Sequence, residues 1–195
     1  MHAFLRSTGL IDWQHPTVLA RARVLGDGLT NPADIARSCF EWVRDEIKHS
    51  QDHGLTAVTC AASEVLQERS GYCYAKSHLL AALLRANRIP AGLCYQRLSL
   101  NEAGTAHCLH GLTAVLLPGV GWYRLDSRGN RSGIDAQFDP PVERLAFRLT
   151  LPGEADLPEV WTDPLPIVVE ALRAHSTAAS LGEDLPDVAL RAPWG

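Results

Sequence analysis

The stretch that most constrains this 195-residue chain is GYCYAKSHLLAALLRANRIPAG, residues 71 to 92. Counted from Ala75, the apolar residues Leu79, Ala82, Leu83 and Ala86 follow at offsets of four, seven, eight and eleven, the period of one helix face. This predicts a buried helix. Asn87 and Pro90 end it, and Gly71 is expected to supply the backbone angles of a tight entry turn, so Cys73 falls at or near the helix N-terminus. Unpaired amides and the helix dipole favour a thiolate there, and the thiolate is the reactive form of cysteine. A free cysteine is more often just a small buried apolar residue. A functional reading of Cys73 therefore needs partner residues elsewhere in the chain.

Composition narrows the classes. A hydrophobic content of 46% with 21% charged residues suits one soluble globular domain covering residues 1 to 195. The net charge of −4, without a lysine or arginine run, argues against a nucleic-acid partner or an anionic membrane surface. No apolar stretch reaches spanning length, and MHAFLRSTGLID lacks the continuous apolar core of a signal peptide, so the chain is expected to be cytoplasmic. The five cysteines are odd in number and include no Cys-x-x-Cys pair, which suits reduced thiols.

In chain order, TVLARARVLGDG predicts a helix closed by Gly26 and Gly28, and Asn31 with Pro32 begins a second one through Ile35, Ala36, Cys39, Phe40, Val43 and Ile47. Residues 49 to 60 read as loop, and SEVLQERS as a short helix capped at or near Ser63. Beyond Pro90 the period changes. AGLCYQRLSL, AHCLHGLTAVLL and WYRLDSRG predict three strands, and VERLAFRLTL a fourth. Residues 152 to 166 read as proline-rich loop, IVVEALRAHS as a last helix, and residues 178 to 195 as a polar tail.

A cysteine nucleophile needs a base, and the base needs an orienting acceptor. His107 and His110 enter one predicted strand and Asp126 leaves the next. His110 and Asp126 are equidistant from Pro118, so a hairpin about PGVG brings them opposite or nearly opposite each other. They share a face only if the loop is odd in length or bulged, since an even loop would put them on opposite faces. Individually, each has a plainer reading: Asp126 pairing with Arg124 or Arg128, either histidine bonding a backbone carbonyl.

The order Gly-x-Cys at a helix start, Leu-Leu-x-Ala-x-x-Ile-Pro-Ala, histidine, Pro-Gly-x-Gly-Trp and aspartate resembles the transglutaminase-like superfamily, whose core is similar to that of papain. Residues 60 to 130 carry the resemblance, and the surrounding elements suit small bacterial members. It implies Cys73 as nucleophile, His110 as base and Asp126 as the residue orienting the base. It also implies an oxyanion site made by the Cys73 amide and a side chain, with Gln67, six residues before the cysteine, and Tyr72 as candidates.

The expected fold is α+β: a helical N-terminal half with an antiparallel sheet packed on the cysteine-bearing helix. The expected activity is cysteine-dependent acyl transfer on a peptide, protein or small amide or ester, with water or an amine as acceptor and no cofactor or metal. Two rivals are a non-catalytic binding or scaffolding domain of the same fold and a metal site drawn from Cys73, His78, His107, Cys108 and His110.

Overall fold

The computed structural model describes residues 1–190, so the last five residues of the expected tail lie outside it. After a 3₁₀ turn at His2–Leu5, α1 (Pro16–Gly26) and α2 (Pro32–Glu46) lead to a two-residue strand β1 (Lys48–His49). Then come α3 (Ala62–Glu68), β2 (Ser70–Gly71) and α4 (Cys73–Ala86). Three longer strands follow, β3 (Ala91–Ser99), β4 (His107–Leu117) and β5 (Gly121–Leu125), and then β6 (Ala155–Asp156), α5 (Pro166–Ala174) and α6 (Ala178–Glu183).

Local chemistry explains most of these elements. The Asn31 side chain accepts from the Ala33 amide with Pro32 at the first helical position, as the sequence predicts. The cap of α3 falls near Ser63, as expected, but not through the serine hydroxyl: the helix starts at Ala62, the Glu64 carboxylate accepts from the Cys60 and Ala61 amides, and Asp12 accepts from that of Ser63. Nor does the entry to α4 use a left-handed glycine. The positive φ, 55°, falls on Arg69. Gly71 is needed for space, since a Cβ there would lie 2.9 Å from Thr59 Oγ1 and 3.1 Å from Ala75 Cβ.

Helix α4 is buried on every side from Cys73 to Arg85, polar residues included. Most of its polar side chains have partners, His78 Nε2 being an exception. Arg85 donates to the carbonyls of Ala91, Arg6 and Thr162, tying the end of the helix to three segments. Lys76 donates to the carbonyls of Ile47, Arg128 and Arg44, joining the end of α2 to the chain after β5.

The main sheet is antiparallel in the order β5-β4-β3-β6. One face packs on α4 through Leu109, Val115, Leu93 and Tyr95, in a core continuous with α1, α2 and α5. The other carries a smaller cluster of Cys94, Leu112 and Ala114 covered by Leu145 and Val160. Here the structure corrects the sequence reading: residues 142 to 151 form no ladder, and the fourth strand is Ala155–Asp156, inside the stretch read as loop. The alternation of Leu145, Phe147 and Leu149 is not that of a ladder: Leu145 covers the outer sheet face, Phe147 stands against His110 and Leu149 is exposed. The expected tail also holds a helix, α6, begun by Thr177 accepting from the Ser180 amide.

Candidate active site

Three elements converge on one point. The first turn of α4 brings Cys73, β4 brings His110, and the end of β5 brings Asp126. The hairpin loop is three residues, Pro118 to Val120, because Gly121 pairs with Leu117. An odd loop meets the condition for His110 and Asp126 to share a face. Extending the register, Asp126 comes opposite Leu112 and so diagonal to His110. The imidazole Nε2 lies 2.7 Å from Asp126 Oδ2.

Gly111 lets the strand touch the helix. A Cβ there would come within 2.9 Å of the Tyr74 Cα; without one, the Gly111 amide donates to the Cys73 sulfur at 3.4 Å. The Tyr74 hydroxyl donates to the Leu109 carbonyl and fixes the same crossing.

Asp126 is fully enclosed. Its Oδ2 also accepts from the Ala146 amide at 3.0 Å and its Oδ1 from the Arg128 amide at 3.1 Å. Burial alone would raise its pKa, but the charge and hydrogen bond of His110 and these two amides hold it below the ordinary carboxylate value. His110 shows the reverse balance. Burial alone would lower its pKa, yet the Asp126 charge, the Cys73 thiol and hydrogen bonds to both push it up to about 10. With Nε2 directed at Asp126, Nδ1 is the ring nitrogen left for the thiol. Phe147 stands edge-on to the imidazole, centroids 5.0 Å apart, and closes the outer side.

The cavity at Cys73 has a volume of about 350 Å³, with His49, Tyr72, Leu98, Phe147 and Leu185 among its walls. His49 was not legible as a site residue in the sequence, where HSQDHG reads as loop. Its pKa is lowered to about 3, first by burial and then by the Arg128 charge, so the ring is neutral. Asp52 beside it takes a bidentate pair from Arg128 at 2.5 and 2.9 Å.

The other expected site residues lie as follows. The Tyr72 ring lines the cavity, but its hydroxyl donates to the Ala178 carbonyl at 2.6 Å. Gln67 is exposed on α3 and lines a separate groove with Thr17 and Arg21, so it does not face Cys73. His107 bonds the Pro152 carbonyl and His78 the Cys60 carbonyl, which separates the residues of the metal alternative. Among the described residues no three histidine, cysteine or acidic side chains gather as a metal site.

The chain also has a match at the level of sequence. Residues 20–127, more than half of the chain, fit the family model of the transglutaminase-like superfamily. The chain belongs to this superfamily. No curated protein sequence matches it. Among solved structures, this transglutaminase-like chain resembles a provisionally assigned cysteine protease of Cytophaga hutchinsonii, with a TM-score of 0.52 and 20% identity over 64% of this chain and 40% of that one. That likeness is one of fold. The periplasmic domain of TgpA from Pseudomonas aeruginosa aligns with a TM-score of 0.48 and 22% identity, over 64% of this chain and 45% of that one. The transglutaminase-like chain thus spans less than half the length of either protein. Among its described residues, no helix is long and apolar enough to cross a membrane.

Proposed function

We propose that the protein is a cysteine-dependent acyl-transfer enzyme in which Cys73 is the nucleophile, His110 its base and Asp126 the orienting acceptor. The observation that carries this reading is the His110 imidazole, bonded at 2.7 Å to a buried carboxylate and lining the same cavity as Cys73. The thiol proton rests on His110, whose imidazolium persists to about pH 10, and the Cys73 thiolate adds to an amide or ester carbonyl. As the C–N or C–O bond breaks, the imidazolium returns the proton to the leaving amine or alcohol, giving a thioester. Water or an amine then gives its proton to His110 and attacks the thioester, releasing product and the thiol. The developing oxyanion is taken by the Cys73 amide, which as the first of α4 has no intrahelical acceptor.

The substrate class proposed is a peptide, protein or small amide, and the five unpaired cysteines suit a reducing compartment such as the cytoplasm. The test is trapping of the intermediate: a p-nitrophenyl ester should acylate Cys73, read as a mass increase on the peptide containing it. Cys73→Ser and His110→Ala should abolish the adduct. Acylation spread over all five cysteines, or unchanged in His110→Ala, would remove the assignment.

A further inference from the structure

Strand β5 pairs with β4 only from Thr113 to Leu117, so residues 107 to 111 of β4 have one edge without a strand partner. Two amides on that edge have acceptors. Leu109 donates to the Pro186 carbonyl at 2.7 Å, and Gly111 donates to the Cys73 sulfur at 3.4 Å. Amides two residues apart in a strand point the same way, about 7 Å apart. The Pro186 carbonyl and the Cys73 sulfur therefore occupy successive acceptor places along one strand edge.

The chain after α6 lies on this edge as a bound peptide would. Leu185 forms part of the wall of the Cys73 cavity, Pro186 is buried, and Asp187 takes a bidentate pair from Arg97 Nε and Nη2 at 2.7 and 2.6 Å. Arg97 is the register partner of Leu109 on β3, so the edge offers an amide for a carbonyl and a guanidinium for a carboxylate side by side. Other charged groups nearby are engaged: Glu154 accepts from the amides of Ser99, Thr150 and Leu151, and His107 bonds Pro152.

We propose that this edge is the acyl-donor subsite, that it takes a polypeptide with an acidic residue next to the one whose carbonyl meets the Leu109 amide, and that residues 185 to 187 fill it when substrate is absent. The proposal rests on reading Cys73 as the nucleophile. A small amide would use neither the Leu109 amide nor Arg97, whereas an acidic peptide uses both and passes within one strand repeat of the sulfur.

Asp187→Ala in the full chain releases the clamp without touching Cys73. Fluorescein maleimide should then modify Cys73 about tenfold faster than in the wild type, read by peptide mapping. The peptide Ac-Asp-Leu-Pro-Asp-Val-NH₂, residues 184 to 188, should return that rate toward the wild-type value. The version with asparagine in place of its second aspartate should not, and Arg97→Ala should make labelling insensitive to either peptide. In the wild type itself, added salt should speed labelling, and in Arg97→Ala it should not. An Asp187→Ala protein labelled at the wild-type rate, no protection by millimolar peptide, or salt-independent labelling of the wild type would each overturn the subsite. Loss of Cys73 reactivity in His110→Ala tests the catalytic reading separately, so the subsite can fail while the nucleophile stands.

Discussion

Gly111 on β4 and Cys73 at the start of α4 meet backbone to side chain, the glycine amide 3.4 Å from the sulfur. Such closeness requires that position 111 carry no side chain, because a Cβ would fall 2.9 Å from the Tyr74 Cα and 3.1 Å from the Tyr74 amide. Helix backbone cannot yield as a flexible side chain can, so a substitution here must move the helix start relative to the strand.

Gly111→Ala should therefore cost about 1–3 kcal/mol of stability by overpacking and should slow Cys73 alkylation by displacing the thiol from His110. Urea unfolding and timed iodoacetamide labelling would measure the two effects. An alanine variant with wild-type stability and reactivity would show that the crossing has slack.

The choice between the two histidines of β4 is a second test. His110 faces Asp126 and the cavity, whereas His107 bonds the Pro152 carbonyl. His110→Ala should reduce the alkylation rate of Cys73 by a factor of 10² or more, by the general-base magnitude, and His107→Ala should change it less than about threefold, as expected for a residue outside the site. The reverse ranking would move the base three residues upstream.

Much of the site was readable because it lies on regular elements. Cys73 opens a helix with clear periodicity, and the odd-loop condition was derivable from the spacing of His110 and Asp126 alone. What stayed hidden depends on long-range contacts. Phe147 sits on a segment whose alternation reads as a paired strand, yet it covers His110 instead. His49 reaches the cavity from the two-residue strand β1 and Arg128 from a loop, and Arg128 is tied to Asp52 across 76 residues of sequence. Gln67 has a suggestive spacing before the cysteine, but the turn of α3 carries it to the exposed side; spacing alone does not fix a helical azimuth.

Two buried cations give opposite pH dependences. Folded His110 keeps its proton to about pH 10, against 6.5 for an unperturbed histidine, so its stabilisation is complete below the lower value and is lost as pH rises through the upper one. Lys76 is lowered to about 7 from 10.5, chiefly by burial, so the unfolded chain holds the extra proton and stability gains as pH rises through that interval. Between pH 7 and 8.5 the two slopes oppose each other. Lys76→Met removes the gaining one, and although less stable throughout, it should lose about 2 kcal/mol more than the wild type across this window. Urea midpoints at the two pH values would show it. Parallel profiles for variant and wild type would mean that the two shifts are not both present.

Asp126 is the residue through which His110 is expected to be oriented, and its surroundings separate that role from a structural one. The carboxylate accepts from His110, Ala146 and Arg128, the last two through backbone amides. Neither Arg124 nor Arg128 makes an ion pair with it: Arg124 pairs with Glu143 and Asp156, and Arg128 with Asp52. Asp126→Asn keeps the size and one oxygen acceptor but removes the charge that raises the His110 pKa. Burial, the opposing influence, then weighs more heavily, with Cys73 the remaining group that raises it, so the imidazole should titrate well below its wild-type value. A neutral and misoriented ring is a poor partner for the thiolate, and Cys73 reactivity should fall by orders of magnitude, close to the level of His110→Ala. The fold should persist at some cost in stability, because the asparagine oxygen can still accept from one of the two backbone amides while the other, on the opposite carboxylate oxygen, loses its acceptor. Imidazole titration by NMR, alkylation kinetics and urea unfolding would be read together on the same variant. Should Asp126→Asn unfold at the wild-type midpoint and react at the wild-type rate, Asp126 would leave the site and Cys73 and His110 would act as a dyad.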